Sequence, residues 1–122
     1  MTTEDEDRAD ALFHALADRT RRDILRRVLA GEHSVTALAA GYEMSFAAVQ
    51  KHVAVLQRAG LITKRRQGRE QLASGDLAAV RSVASMLTEI EDVWRGRIAR
   101  IDELVLDDPT TTTTHPTREQ EH

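Results

Sequence analysis

The sequence contains no cysteine. That excludes disulfides, thiolate metal ligands and a cysteine nucleophile together. Aromatic residues make up only 3% of the 122 residues, against 41% hydrophobic residues in all, so Ala, Leu, Val and Ile must supply the core. Such a balance favours packed helices over a large sheet sandwich, and the length suits one domain with a modest core. No run approaches the roughly 18 apolar residues of a membrane span. The start, MTTEDEDRAD, lacks the basic-then-apolar order of a signal peptide, so a cytoplasmic protein with no membrane partner is expected. No Gly-rich phosphate motif and no clustered His and carboxylates are present, so the chain is read as not an enzyme.

What is present is an uneven distribution of charge. The formal net charge is −3, yet Ser45 to Arg69 holds six basic residues (Lys51, Arg58, Lys64, Arg65, Arg66, Arg69) and no Asp or Glu. Acidic residues gather instead in Glu4 to Asp7 and Asp102 to Asp108. Distribution matters more than the sum for an anionic partner.

Along the chain, apolar spacing and punctuation predict four short helices. The first runs from about Asp7 to Ala17. The second runs from Arg19 to Leu29, behind Asp18 as N-cap and closed by Gly31. Ser34 caps a third, ending at Gly41, and Ser45 caps a fourth, ending at Gly60. LITKRRQGREQLA then reads as a hairpin over 61–73, with Gly68 supplying the positive φ of a tight turn. From Asp76 to about Leu106, apolar residues recur in steps of three and four along one helix without proline. A core this small need not cover that seam, which suits a dimer contact; the plain alternative is packing against the first helix. The tail PTTTTTHPTREQEH offers no apolar face and is expected to be disordered.

Two stretches, LADRTRRDILRRVLAGEHSVTALA and MSFAAVQKHVAVLQRAGLITKRRQGRE, together covering about residues 15–72, resemble the ArsR/SmtB family of bacterial transcriptional repressors. The resemblance implies a mainly α fold with a small β-hairpin: a winged helix-turn-helix with a long C-terminal dimerisation helix. It divides the chain into a DNA-binding core (1–75), a dimerisation helix (76–106) and a tail (107–122). Arg19 and Ala47 stand where many family members have proline, and Ala47 gives up the fixed φ of a first-turn proline.

The family's thiolate site lies on the third helix, where SVTALAAGYEM has no sulfur ligand except Met44. Its second site pairs carboxylates with imidazoles on the last helix, where residues 76–108 offer Glu89, Glu91, Asp92 and Asp102 but no His. No metal and no cofactor are therefore expected. His14, His33, His115 and His122 form no spaced set and read as solvated or half-buried residues.

In a helix-turn-helix, the second helix enters the major groove with its N-terminal residues at base edges. With Val49, Val53 and Leu56 toward the core, the candidates for DNA contact are Ser45, Ala47, Ala48, Gln50, Lys51 and, secondarily, His52. Gln50 suits adenine, Lys51 guanine or a phosphate, and Ala47 or Ala48 a thymine methyl. His52 falls at the edge of the core, where a partly buried ring would bond to a neighbouring helix or to a phosphate. Around Gly68, the basic residues Lys64, Arg65, Arg66 and Arg69 would straddle a phosphate backbone or enter the minor groove. A merely solvated helix face and hairpin is the plain alternative for these residues. The arginines Arg21, Arg22, Arg26 and Arg27 read as local salt-bridge and capping groups.

Leu87, Ile90, Trp94, Ile98 and Ile101, joined by Leu12, are the expected dimer interface. The partners implied are a double-stranded DNA operator and a second copy of the chain, with a small-molecule or protein effector left open. The functional expectation is a homodimeric, sequence-specific repressor of the ArsR type, autoregulation included, reading an inverted repeat with helix 45–59 and the wing 61–73. A winged-helix protein-interaction module without specific DNA binding is the alternative.

Overall fold

The computed structural model describes residues 2–107. Its elements in chain order are α1 (Thr3–Leu16), α2 (Arg19–Ala30), β1 (His33–Ser34), α3 (Val35–Ala40), α4 (Phe46–Arg58), β2 (Ile62–Gln67), β3 (Glu70–Gly75) and α5 (Leu77–Asp107). The fold is mainly helical with a small antiparallel sheet, as the sequence leads one to expect. The Thr-rich tail lies outside the described residues.

Each short helix starts where a side-chain oxygen satisfies an orphan backbone N–H. The backbone N–H groups of Arg21, Ala37 and Ala48 donate to Asp18, Ser34 and Ser45 at 3.0, 3.0 and 3.1 Å. α1 begins four residues before the expected Asp7. Thr2 and Asp5 form a reciprocal capping box, with each side chain accepting from the other's backbone N–H, so Asp5 does more than complement the helix dipole. α4 ends before Gly60, whose φ of +85° is the left-handed conformation that glycine adopts without penalty.

The hairpin turns at Gly68, φ +63°, with Gln67 opposite Glu70. Its strands extend to Ile62 and Gly75, two residues past the expected end, and the Asp76 N–H donates to the Leu61 carbonyl at 2.8 Å. β1 was not legible in the sequence, because two residues carry no period. It adds to the far side of β3 through His33 opposite Ala73 and Ser34 opposite Leu72, giving the order β1-β3-β2. A Cβ on Gly75 would come within 2.5 Å of the Leu29 side chain, so α2 and β3 approach closely there.

Two compact units divide at Ser85 and Met86. In the first, Leu12, Ile24, Leu38, Val49, Val53, Leu56, Leu61 and Ile62 are fully buried, and Ala79 and Val83 bury the first turns of α5. Leu12 corrects the expected dimer set. At 1% exposure it is consumed by the chain's own core and presents nothing to a second copy. In the second unit, Leu87, Ile90, Trp94, Ile98 and Ile101 are all 39 to 66% exposed. No helix among the described residues is long and apolar enough to cross a membrane.

Candidate nucleic-acid interface

α4 is a two-sided helix. Val49, Val53 and Leu56 are completely buried, which fixes its axis on α2, α3 and the sheet, while Phe46, Ala47, Gln50 and Lys51 are exposed and Ala48 is half-buried. Ser45 holds the N-terminus open toward solvent, with the dipole's positive end beside it. Gln50 faces a groove of about 170 Å³ between α3, α4 and the hairpin, also lined by Thr36, Phe46, Lys64, Arg69, Gln71 and the carboxylate-bearing Glu70. The fold thus brings Gln50 of the helix and two wing cations, Lys64 and Arg69, to one concavity. Arg66 and Gly68 are exposed on the hairpin.

Two residues of the expected DNA-binding set are otherwise engaged. The half-buried His52 ring places Nδ1 3.4 Å from Arg21 Nη1 and 3.9 Å from Asp18 Oδ2. Arg21 in turn donates to the Ala15 and His14 carbonyls at 2.7 and 2.9 Å. His52 therefore links α4 to the α1–α2 junction.

Arg65 is the second. Its Nε and Nη2 donate to the two Glu32 oxygens at 2.9 and 2.8 Å, and Ser74 Oγ donates to the same carboxylate at 3.0 Å. A bidentate pair of this kind neutralises the guanidinium and fixes its plane. The Arg65 hydrogen bonds hold the Glu32 carboxyl below its usual range, and Glu32 in turn raises Arg65. In this structure Arg65 thus ties β2 to the loop before β1.

A helix-turn-helix domain model matches residues 16–65. Over 96 residues the chain is 30% identical to the HTH-type transcriptional regulator Rv2034 of Mycobacterium tuberculosis, an alignment covering 79% of this chain and 87% of that protein. An ArsR-like transcriptional regulator from Rhodococcus sp. RHA1 superposes with a TM-score of 0.73 at 29% identity, covering 84% of this chain and 96% of the other. The chain belongs to the ArsR family of winged helix-turn-helix transcriptional regulators. Also similar is the homodimeric winged helix-turn-helix DNA-binding domain Mb0332 from Mycobacterium bovis, with a TM-score of 0.59 at 25% identity over 70% of this chain and 81% of that one.

In this ArsR-family regulator α3 and α4 form the helix-turn-helix, and β2 and β3 form the wing. The α2 arginines do more than pair with neighbours. Arg26 lies 3.9 Å from Asp23, but Arg21 and Arg22 reach back to the last carbonyls of α1, Arg22 donating to Leu16 at 2.7 Å. They act as C-terminal caps of the preceding helix. Arg27 stacks over Tyr42, 5.3 Å from the ring centroid, and the Tyr42 hydroxyl donates to Asp23 at 2.6 Å. Burial, reinforced by that Asp23 bond, raises the Tyr42 hydroxyl above its usual pKa.

Thr36, Gln71 and above all Phe46 line this groove, and sequence reasoning did not place them there. Phe46 lies three residues before Val49, within about 60° of the core stripe on a helical wheel, so spacing alone assigns it to the core. Among the described residues no three His, Asp or Glu side chains stand close enough together to hold a metal ion.

Proposed function

We propose that this ArsR-family regulator is a homodimeric, sequence-specific DNA-binding repressor acting in the cytoplasm. α4 enters the major groove of an inverted-repeat operator, and the β2–β3 wing lies along the flanking backbone. The observation that carries this reading is the two-sided α4: a fully buried Val49, Val53 and Leu56 face behind an exposed Gln50 and Lys51 face. Lys64, Arg66 and Arg69 beside it supply charge for phosphates. Residues 1–75 form the DNA-binding core and 76–106 the dimerisation helix. Support for the dimer comes from exposed Leu87, Ile90, Trp94, Ile98 and Ile101, at helical spacing on α5, and from the homodimeric Mb0332 domain.

Two-fold symmetry requires half-sites about one helical turn, or a small multiple, apart. Selection of bound fragments from the organism's own DNA, followed by footprinting, tests the proposal. The expected result is a symmetric footprint over an inverted repeat and affinity that falls steeply with salt. A footprint over a single asymmetric half-site contradicts the dimeric arrangement. Equal competition by operator and random duplex contradicts sequence reading altogether and favours a protein-interaction module.

A further inference from the structure

We propose that Phe46 is a specificity-determining residue of this regulator and contacts the 5-methyl group of a thymine in each half-site; this rests on the DNA-binding reading of α4. Phe46 is the first residue of α4, directly after the Ser45 cap, in the turn of a recognition helix that approaches base edges. It is 46% exposed, whereas the apolar residues Val49, Val53 and Leu56 of the same helix are completely buried. The fold thus holds a large aromatic side chain in water beside the polar face.

Phe46 and Gln50 are one turn apart and line the same groove, with Thr36, Lys64 and Arg69 around them. A phenyl ring has no donor or acceptor for the hydrogen-bonding code of the bases. The apolar feature displayed in the major groove is the thymine methyl, which Phe can contact. Lys64 and Arg69, which line the groove together with Glu70, suit the phosphates adjacent to such a base pair. The two alanines that could touch such a methyl are poorer candidates: Ala48 is half-buried, and Ala47 projects one carbon. One helical turn of about 5.4 Å covers fewer than two base-pair steps of about 3.4 Å. The thymine read by Phe46 therefore lies within two base pairs of the base read by Gln50.

The test uses the full chain and the operator obtained by selection, with each thymine of one half-site replaced in turn by deoxyuridine, which removes only the methyl. For the native chain, one position is expected to weaken binding by about four-fold, the worth of one buried methyl. In Phe46→Ala and Phe46→Gln, both checked for native melting, uracil and thymine at that position are expected to bind equally. Failure of the native chain to prefer any sequence overturns the DNA-binding reading and this proposal together. Specific binding with no uracil-sensitive position overturns this proposal alone. So does a uracil penalty that persists in both Phe46 variants, which assigns the methyl contact to another residue.

Discussion

Arg65 and Glu32 close a two-armed ion pair, at 2.9 and 2.8 Å, between the wing and the loop that follows α2. Within the basic run the arginines look equivalent, yet this contact separates them. Arg66→Ala is expected to weaken binding to all duplexes alike and to reduce the slope of log affinity against log salt by about 0.9, the signature of one lost phosphate contact. Arg65→Ala is expected to leave that slope nearly unchanged while increasing hydrogen exchange in β2 and β3. Equal salt slopes in the two variants would mean that DNA draws Arg65 away from Glu32.

The same pair sets a pH dependence. Arg65 depresses the Glu32 carboxyl from its ordinary value of 4.5, so the contact contributes stability at and above that value and loses it as pH falls through the lower, folded value. Thermal melts of the native chain and Glu32→Gln should therefore differ at neutral pH and draw together as pH falls below the ordinary value of 4.5. A gap that stays constant down to pH 3 contradicts this linkage.

Lys51→Ala and His52→Ala should behave differently despite adjacency. Lys51 is exposed on the reading face, so its loss is expected to change base preference at one position by about 1–3 kcal/mol. His52 faces Arg21 and Asp18, so its loss is expected to lower thermal stability by about 1 kcal/mol with base preference retained. Binding-site selection on both variants, beside their melts, separates reading from positioning.

Asp18 caps α2 through the Arg21 N–H at 3.0 Å, and that bond, aided by His52, holds its carboxyl below the usual range. Asp18→Ala is expected to cost about 1 kcal/mol at pH 7, the usual worth of an N-cap. Because the folded pKa is depressed, the loss should shrink in acid, as pH falls below the ordinary carboxylate value of 3.8. Denaturant titrations at pH 7 and pH 3 measure both effects.

Leu12 and Ile98 give opposite outcomes. Leu12 is 1% exposed, and Leu12→Ala is expected to destabilise the fold by about 2–5 kcal/mol. Ile98→Glu places a charge on the exposed apolar stripe of α5 and is expected to leave helicity intact while shifting sedimentation from dimer to monomer. Unchanged sedimentation would remove this stripe from the dimer interface.

Much of the fold is written in local chemistry. Ser34 and Ser45 cap α3 and α4 because an N-cap is satisfied within three residues, and Gly68 turns the hairpin because positive φ is a property of one residue. The buried stripe of α4 follows equally from spacing, as does the exposure of Gln50 and Lys51 opposite it. β1 was illegible because its pairing to Leu72 and Ala73 is nonlocal.

The sequence by itself determined the succession of helices and hairpin, the caps of its helices and the basic stretch that accompanies α4, because periodicity, capping and turn chemistry act over a few residues. Only the tertiary structure decided which polar and apolar groups remain free for a partner. Glu32 claims Arg65 from 33 residues away, Arg21 and Asp18 claim His52, the core claims Leu12, and Phe46 is left exposed beside Gln50. A side chain's availability depends on what the fold sets against it, and a contact between distant positions has no period to read.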